Sequence, residues 1–216
     1  MHKHLAKSHP VFRQLIKRFG EIDLPKPKKT PPYEALMRAI AHQQLHGKAA
    51  ETILGRFFGL YGDKFPSPEQ VLKTKDEALR GVGFSASKAA AIKDIAAHAL
   101  QGTIPATVAA TKKLDDAELI ARLTQIRGVG RWTVEMLLIF HLGRPDILPV
   151  DDFGVREGWR VMNGHDAQLK PKELWAAGEA WAPHRTLASL YLWQAANAAK
   201  IKEEPKLKVT KPKKQK

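Results

Sequence analysis

The chain has 216 residues, 44% of them hydrophobic and 27% charged, with a formal net charge of +14 and a pI near 10.0. That length buries one substantial core or two small lobes, and the basic excess points to a polyanionic partner, because clustered Lys and Arg gain affinity by releasing counterions from phosphate. The absence of cysteine excludes disulfides, thiol nucleophiles, cysteine-based zinc sites and iron–sulfur clusters.

No apolar run approaches the roughly 20 residues of a membrane span. The opening MHKHLAKSHP lacks the apolar stretch of a secretory signal. A soluble intracellular protein is expected.

Taken in chain order, the periodicity is helical throughout. A first helix is expected over roughly 10–19, followed by the basic, Pro/Lys-rich KPKKTPP at 26–32. YEALMRAIAHQQL (33–45) and GKAAETILGRFFGLYG (47–62) follow, then a short helix in SPEQVLKT. Thr74 and Glu77 stand in capping-box spacing and predict a helix start near Lys75. SASKAAAIKDIAAHALQG (85–102) is a long alanine-rich helix, and LDDAELIARLTQI (114–126) repeats the capping device with Asp115 and Glu118. Further helices are expected at 132–143 (the most apolar), 153–164, 171–181 and 184–200. Strand pairs are not evident, so the fold class is all-α, with about ten helices. The domain reading is an N-terminal helix and basic linker (1–32), a helical core (33–200) and a basic disordered tail (201–216).

IRGVGRW joins two of these helices. Gly128 and Gly130 permit positive φ, and Val129 can pack inward and fix the angle between the helices. The following helix then opens with unpaired N–H groups at its positive end, a ready site for a DNA phosphate. Arg131 adds charge there or is simply a surface residue. LRGVGFSASKAAAI has a similar build, and its Lys88 either contacts phosphate or lies on a solvated face.

PVDDFGV begins nineteen residues on from Gly130. Pro149 ends the helical run and a new helix should restart near Phe153. One aspartate suffices to cap that helix; two exceed the need. An anion beside DNA is repelled by phosphate, a cost that stabilising a developing cation gives reason to tolerate.

LTQIRGVGRWTVEML followed by ILPVDDFGV resembles the helix-hairpin-helix, Gly/Pro-rich, Asp (HhH-GPD) superfamily of DNA glycosylases. Within it the chain is most similar to the 3-methyladenine DNA glycosylase II family, from about residue 33 to residue 199. RAIAHQQL, LRGVGFSASKA and EAWAPHRTLASLYLW carry the likeness further.

The resemblance implies two helical subdomains with a cleft between them, in a compact form without the N-terminal β-rich domain of bacterial members. It places the hairpin at about 119–142, the catalytic carboxylate at Asp152 and a supporting or capping carboxylate at Asp151. Bifunctional relatives carry a lysine after the hairpin, where this chain has Trp132; a monofunctional enzyme follows, hydrolysing the N-glycosidic bond. Trp132 and Trp193 are candidate pocket walls, with Gln43 beside them; Met136 lines the same wall or fills the core, and Trp159 and Trp181 are core residues.

HQQLHG (42–47) resembles the wedge loop, with Gln44 or Leu45 filling the gap left by the flipped nucleotide and His46 probing the minor groove. The bland alternative buries Leu45 and leaves His46 solvated. The hairpin residues Gly128, Val129, Gly130 and Arg131 would hold DNA. Backbone carbonyls of Thr124, Ile126 and Val129 would hold a Na+ or K+ ion, with no other cofactor required.

The expected partner is duplex DNA bearing alkylated bases, met by a monomer in the cytoplasm, nucleoid-associated, of a bacterium or in the nucleus of a eukaryote, with no membrane involved. A noncatalytic DNA-binding module and a glycosylase for deaminated or etheno-adducted bases are the competing readings.

Overall fold

A computed structural model describes residues 1–203; the expectation of a disordered tail falls on residues that, from 204 onward, lie outside the described part. Thirteen α-helices and one 3-10 turn (Glu179–Trp181) make up the described residues, and no strand occurs among them. In order they are α1 (His2–Ser8), α2 (Pro10–Phe19), α3 (Pro32–His42), α4 (Gly47–Gly59), α5 (Pro68–Lys73), α6 (Asp76–Gly81), α7 (Ala86–Leu100), α8 (Val108–Thr111), α9 (Asp116–Leu123), α10 (Arg131–Phe140), α11 (Phe153–Asn163), α12 (Pro171–Gly178) and α13 (Arg185–Glu203). The chain divides into two compact units, one made of Met1–Asp23 with the residues from Leu148 onward, the other of Leu24–Ile147.

The continuous unit, 24–147, is organised around α3 and α7. Leu36, Met37 and Ile40 of α3 and Ile92 and Ile95 of α7 are almost completely buried, with Leu54, Phe57, Val71, Leu79, Leu123, Val134 and Leu138 from the helices around them. Each such side chain contributes roughly 1.5–3 kcal/mol on leaving water.

The Pro/Lys-rich segment is docked onto this unit. Lys28 N–H donates to the His141 carbonyl at 2.9 Å. The His141 ring Nε2 donates to the Thr30 carbonyl at 2.7 Å. Burial holds this imidazole below its ordinary pKa, outweighing the Thr30 carbonyl that favours the charged ring.

In the discontinuous unit, α11 and α13 pack closely because α11 presents Gly154 and Gly158, four residues apart on one face. A Cβ at Gly158 would lie 1.9 Å from the Leu192 carbonyl oxygen. Trp181 and Trp159, expected in the core, are buried at 1% and 5% exposure, and their rings lie 5.0 Å apart. Tyr191 donates to the Gly20 carbonyl at 2.7 Å and ties the end of α2 to α13.

Local capping departs from expectation first at Thr74. Thr74 does not cap α6; its hydroxyl turns back to the Gln70 carbonyl at 2.8 Å and meets the Tyr61 hydroxyl at 2.7 Å. The capping box forms instead at Ser67 and Gln70, at the start of α5. Asp115 does cap α9, accepting from Glu118 N–H at 2.7 Å, while the Glu118 side chain pairs with Arg122. The N-terminal MHKHLAKSHP, ahead of the first helix expected at 10–19, contains α1, which buries Leu5.

Candidate functional site

Asp152 is the N-cap of α11. Its Oδ1 accepts two hydrogen bonds, from Val155 N–H and from the Trp193 indole Nε1–H, both at 2.8 Å. Pro149 prepares this turn, since its carbonyl accepts from Asp152 N–H at 3.0 Å. The carboxylate therefore sits at the positive end of a helix, oriented by a backbone amide and a half-buried indole.

The close approach of Trp193 depends on Gly154, where a Cβ would stand 2.7 Å from the indole Cδ1 and 3.2 Å from Asp152 Oδ1. Capping thus falls to Asp152 itself. Of the two roles expected for Asp151, supporting or capping, capping is excluded: Asp151 is exposed, and Asp152 is the residue whose side chain accepts from Val155 N–H.

Trp132, Met136 and Gln43, also predicted as pocket residues, belong to unit 24–147. A cavity of about 770 Å³ is lined by Trp132, Met136, Gln43 and Gln44, together with Arg38, His42, Phe140 and others. Trp132 is 47% exposed and Phe140 40%, so neither is core filler. Two polar side chains of its wall have acidic partners. Arg38 pairs with Glu34 at 2.8 Å and stacks over the Phe58 ring, and His42 meets Glu51 at 2.9 Å. Arg38 and Phe140 were not anticipated; their helical spacing from Met136 and His42 was the available signal.

The hairpin forms as its residues suggest, with two differences. Val129 and Ile126 are buried, at 3% and 2%. Gly128 has φ 78° and stands so close to α7 that a Cβ there would meet the Ala91 methyl at 3.0 Å. Gly130, by contrast, has φ −83° and needs no left-handed freedom; it is the N-cap of α10. Arg131 pairs through Nε with Glu135 Oε1 at 2.9 Å, a carboxylate only 2% exposed, so its charge is partly met within the protein. Arg127 N–H donates to Asp94 Oδ2 at 2.7 Å, which fastens the hairpin to α7.

Gln43 ties the end of α3 to the hairpin and α10. Its Nε2 donates to the Gly128 carbonyl at 3.1 Å and to Thr133 Oγ1 at 3.3 Å. Beyond it the wedge-like loop is exposed. Leu45 is 39% exposed, against the alternative that buries it, and Gln44 has φ 55°. Lys88 is half-buried, and its ammonium donates to the carbonyls of Ala41 at 2.9 Å and Gln43 at 2.6 Å.

The comparisons with known proteins identify the family. Residues 37–184 match the HhH-GPD superfamily base excision DNA repair protein family, and the chain belongs to it. It is 42% identical over 200 residues to DNA-3-methyladenine glycosylase 1 of Schizosaccharomyces pombe, spanning 91% of this chain and 86% of that protein.

Among solved structures, the 3-methyladenine DNA glycosylase Mag1 of Schizosaccharomyces pombe in complex with abasic DNA is similar with a TM-score of 0.76 and 41% identity, over 89% of this chain and 94% of that one. The DNA-3-methyladenine glycosidase of Bacillus halodurans gives a TM-score of 0.81 and 37% identity, over 92% and 89%.

Proposed function

We propose that the chain is a monofunctional DNA glycosylase that extrudes alkylated bases of the 3-methyladenine or 7-methylguanine type from duplex DNA and hydrolyses the N-glycosidic bond. Water adds to the sugar carbon, the base departs, and an abasic site remains for base excision repair. The observation that carries this reading is the Asp152 carboxylate, held by the Val155 amide and the Trp193 indole. As the glycosidic bond breaks, positive charge builds on the deoxyribose, and a fixed anion stabilises it without reorganising. An alkylated purine already bears positive charge and leaves without strong protonation.

The remaining residues bind and orient. Trp132, Met136 and Phe140 give the extruded base a stacking surface. Gln44 or Leu45 fills the gap in the duplex, with His46 toward the minor groove. The first N–H groups of α10, which no side chain caps, receive a phosphate. Thr124, Ile126 and Val129 carbonyls, three neutral oxygens, suit a Na+ or K+ ion bridging to it; Ile126 also accepts from Val129 N–H at 3.0 Å, which leaves its second lone pair for the ion. Position 132 carries an indole where an amine would be needed for a Schiff base, so strand cleavage is not expected.

No helix among the described residues is long and apolar enough to cross a membrane. The enzyme works where the DNA is, in a nucleoid or a nucleus, as a monomer whose molar mass in light scattering stays constant with concentration.

The test is Asp152→Asn. Asparagine caps helices about as well as aspartate, so folding and affinity for an abasic-analogue duplex persist. Release of methylated base should fall by about 10²–10³-fold, the scale on which one preorganised electrostatic group acts. Undiminished release would remove Asp152 from the chemistry.

A further inference from the structure

The loop expected to enter the duplex is short, exposed and partly left-handed. Gln44 holds φ 55°, a conformation uncommon for a residue with a side chain, and Leu45 and His46 are exposed beside it. Such a loop needs an anchor to keep one conformation. α3 ends immediately before it, leaving its last carbonyls without helical partners.

Lys88 supplies that anchor from α7. Its half-buried ammonium donates to the carbonyl of Ala41 at 2.9 Å and of Gln43 at 2.6 Å, the residues flanking the last turn of α3. Both are charge-assisted bonds to neutral oxygens, and partial burial holds the lysine pKa below its ordinary value.

The same helix face continues toward the hairpin. Ala91 abuts Gly128, and Asp94 takes the Arg127 N–H at 2.7 Å. Residues 88, 91 and 94 are spaced by three and lie along one side of α7. Through this side α7 holds two separate DNA-facing segments in fixed register, the wedge loop by Lys88 and the hairpin by Asp94.

We infer that Lys88 is a positioning residue for base extrusion: it touches no DNA and instead presets the loop 43–46 for insertion into the duplex. This rests on the glycosylase reading above. It predicts that losing Lys88 harms work on duplex DNA, where a base must be extruded and its gap filled, far more than on single-stranded DNA, where neither is required.

The experiment compares wild type with Lys88→Met, which keeps the length and removes the donors. Both are assayed under single-turnover conditions for release of 7-methylguanine from methylated duplex and from methylated single strands. The duplex rate should fall on the order of tenfold or more, as expected on losing a charge-assisted hydrogen bond, with the single-strand rate close to wild type. If Lys88→Met does not fold, Lys88→Gln, which retains one donor, is held to the same ratio.

Equal losses on the two substrates, or none, overturn the inference while leaving the wild-type enzyme active. A wild-type protein that releases no base from either substrate overturns the glycosylase reading and takes this inference with it.

Discussion

Gly154→Ala is a one-carbon test of how Asp152 is held. The added Cβ would lie 2.7 Å from Trp193 Cδ1 and 3.1 Å from Nε1. Ordinary contact begins at 3.4 Å, so the ring must retreat by 3.4 − 2.7 = 0.7 Å, and an indole in the body of α13 has no flexible end to swing aside. The 2.8 Å bond from Nε1 to Asp152 Oδ1 sits at the point of that displacement.

For stability, overpacking costs about 1–3 kcal/mol, and alanine recovers about 1 kcal/mol of helix propensity, leaving a net loss of roughly 0–2 kcal/mol. For activity, a weakened hydrogen bond to a charged group is worth about 1.5–3 kcal/mol, roughly 10–150-fold in rate. The activity loss should therefore exceed what the small stability loss implies.

Excess enzyme is mixed with methylated duplex and base release followed in a single turnover, with affinity for an abasic-analogue duplex measured alongside. Trp193→Phe, which keeps a ring and removes the donor, should show the same rate loss with little change in affinity. A Gly154→Ala enzyme releasing base within about twofold of wild type would refute the view that the indole aligns the carboxylate.

Two further expectations concern the frame around the site. Gly158→Ala places a Cβ 1.9 Å from a backbone oxygen that cannot rotate away, so α13 must back off and stability should fall by roughly 3 kcal/mol. That corresponds to about 6–12 °C in melting temperature, readable by calorimetry; an unchanged melting temperature would contradict the close packing of α11 on α13.

His141 gives a pH dependence. Its folded pKa lies below the ordinary 6.5, so as pH falls through that value the unfolded chain gains a proton that the folded chain resists. Stability is full above it and declines below it. The urea midpoint should drop between about pH 7 and pH 5, and the drop should be shallower in His141→Gln; parallel curves would show that His141 does not contribute.

The helical class, most helix positions and the hairpin follow from periodicity and glycine placement, because those signals are local. The pairing of Asp152 with Trp193 is different: 41 residues separate them, and nothing near PVDDFGV shows that an indole from another helix will donate to it. The i, i+4 glycines of FGVREG were the readable trace of that approach.

Lys88 illustrates the opposite failure. A lysine in a basic sequence suggests phosphate, yet tertiary packing brings it to the end of α3, 45 residues away at Gln43. Thr74 likewise has the spacing of a cap, but its hydroxyl closes the preceding helix. For Lys88 a long-range partner outcompetes the local assignment, and for Thr74 a carbonyl one turn back does.

One unit is continuous from Leu24 to Ile147, while the other joins Met1–Asp23 to residues from Leu148 onward. A ribosome therefore completes everything from α3 to α10 before it has made Asp152 or Trp193, at about 5–20 residues per second. A polypeptide ending in that interval would carry the hairpin and the loop anchored by Lys88, with no carboxylate to do the chemistry. On the proposed mechanism such a fragment could not release a base, however well its own unit folded.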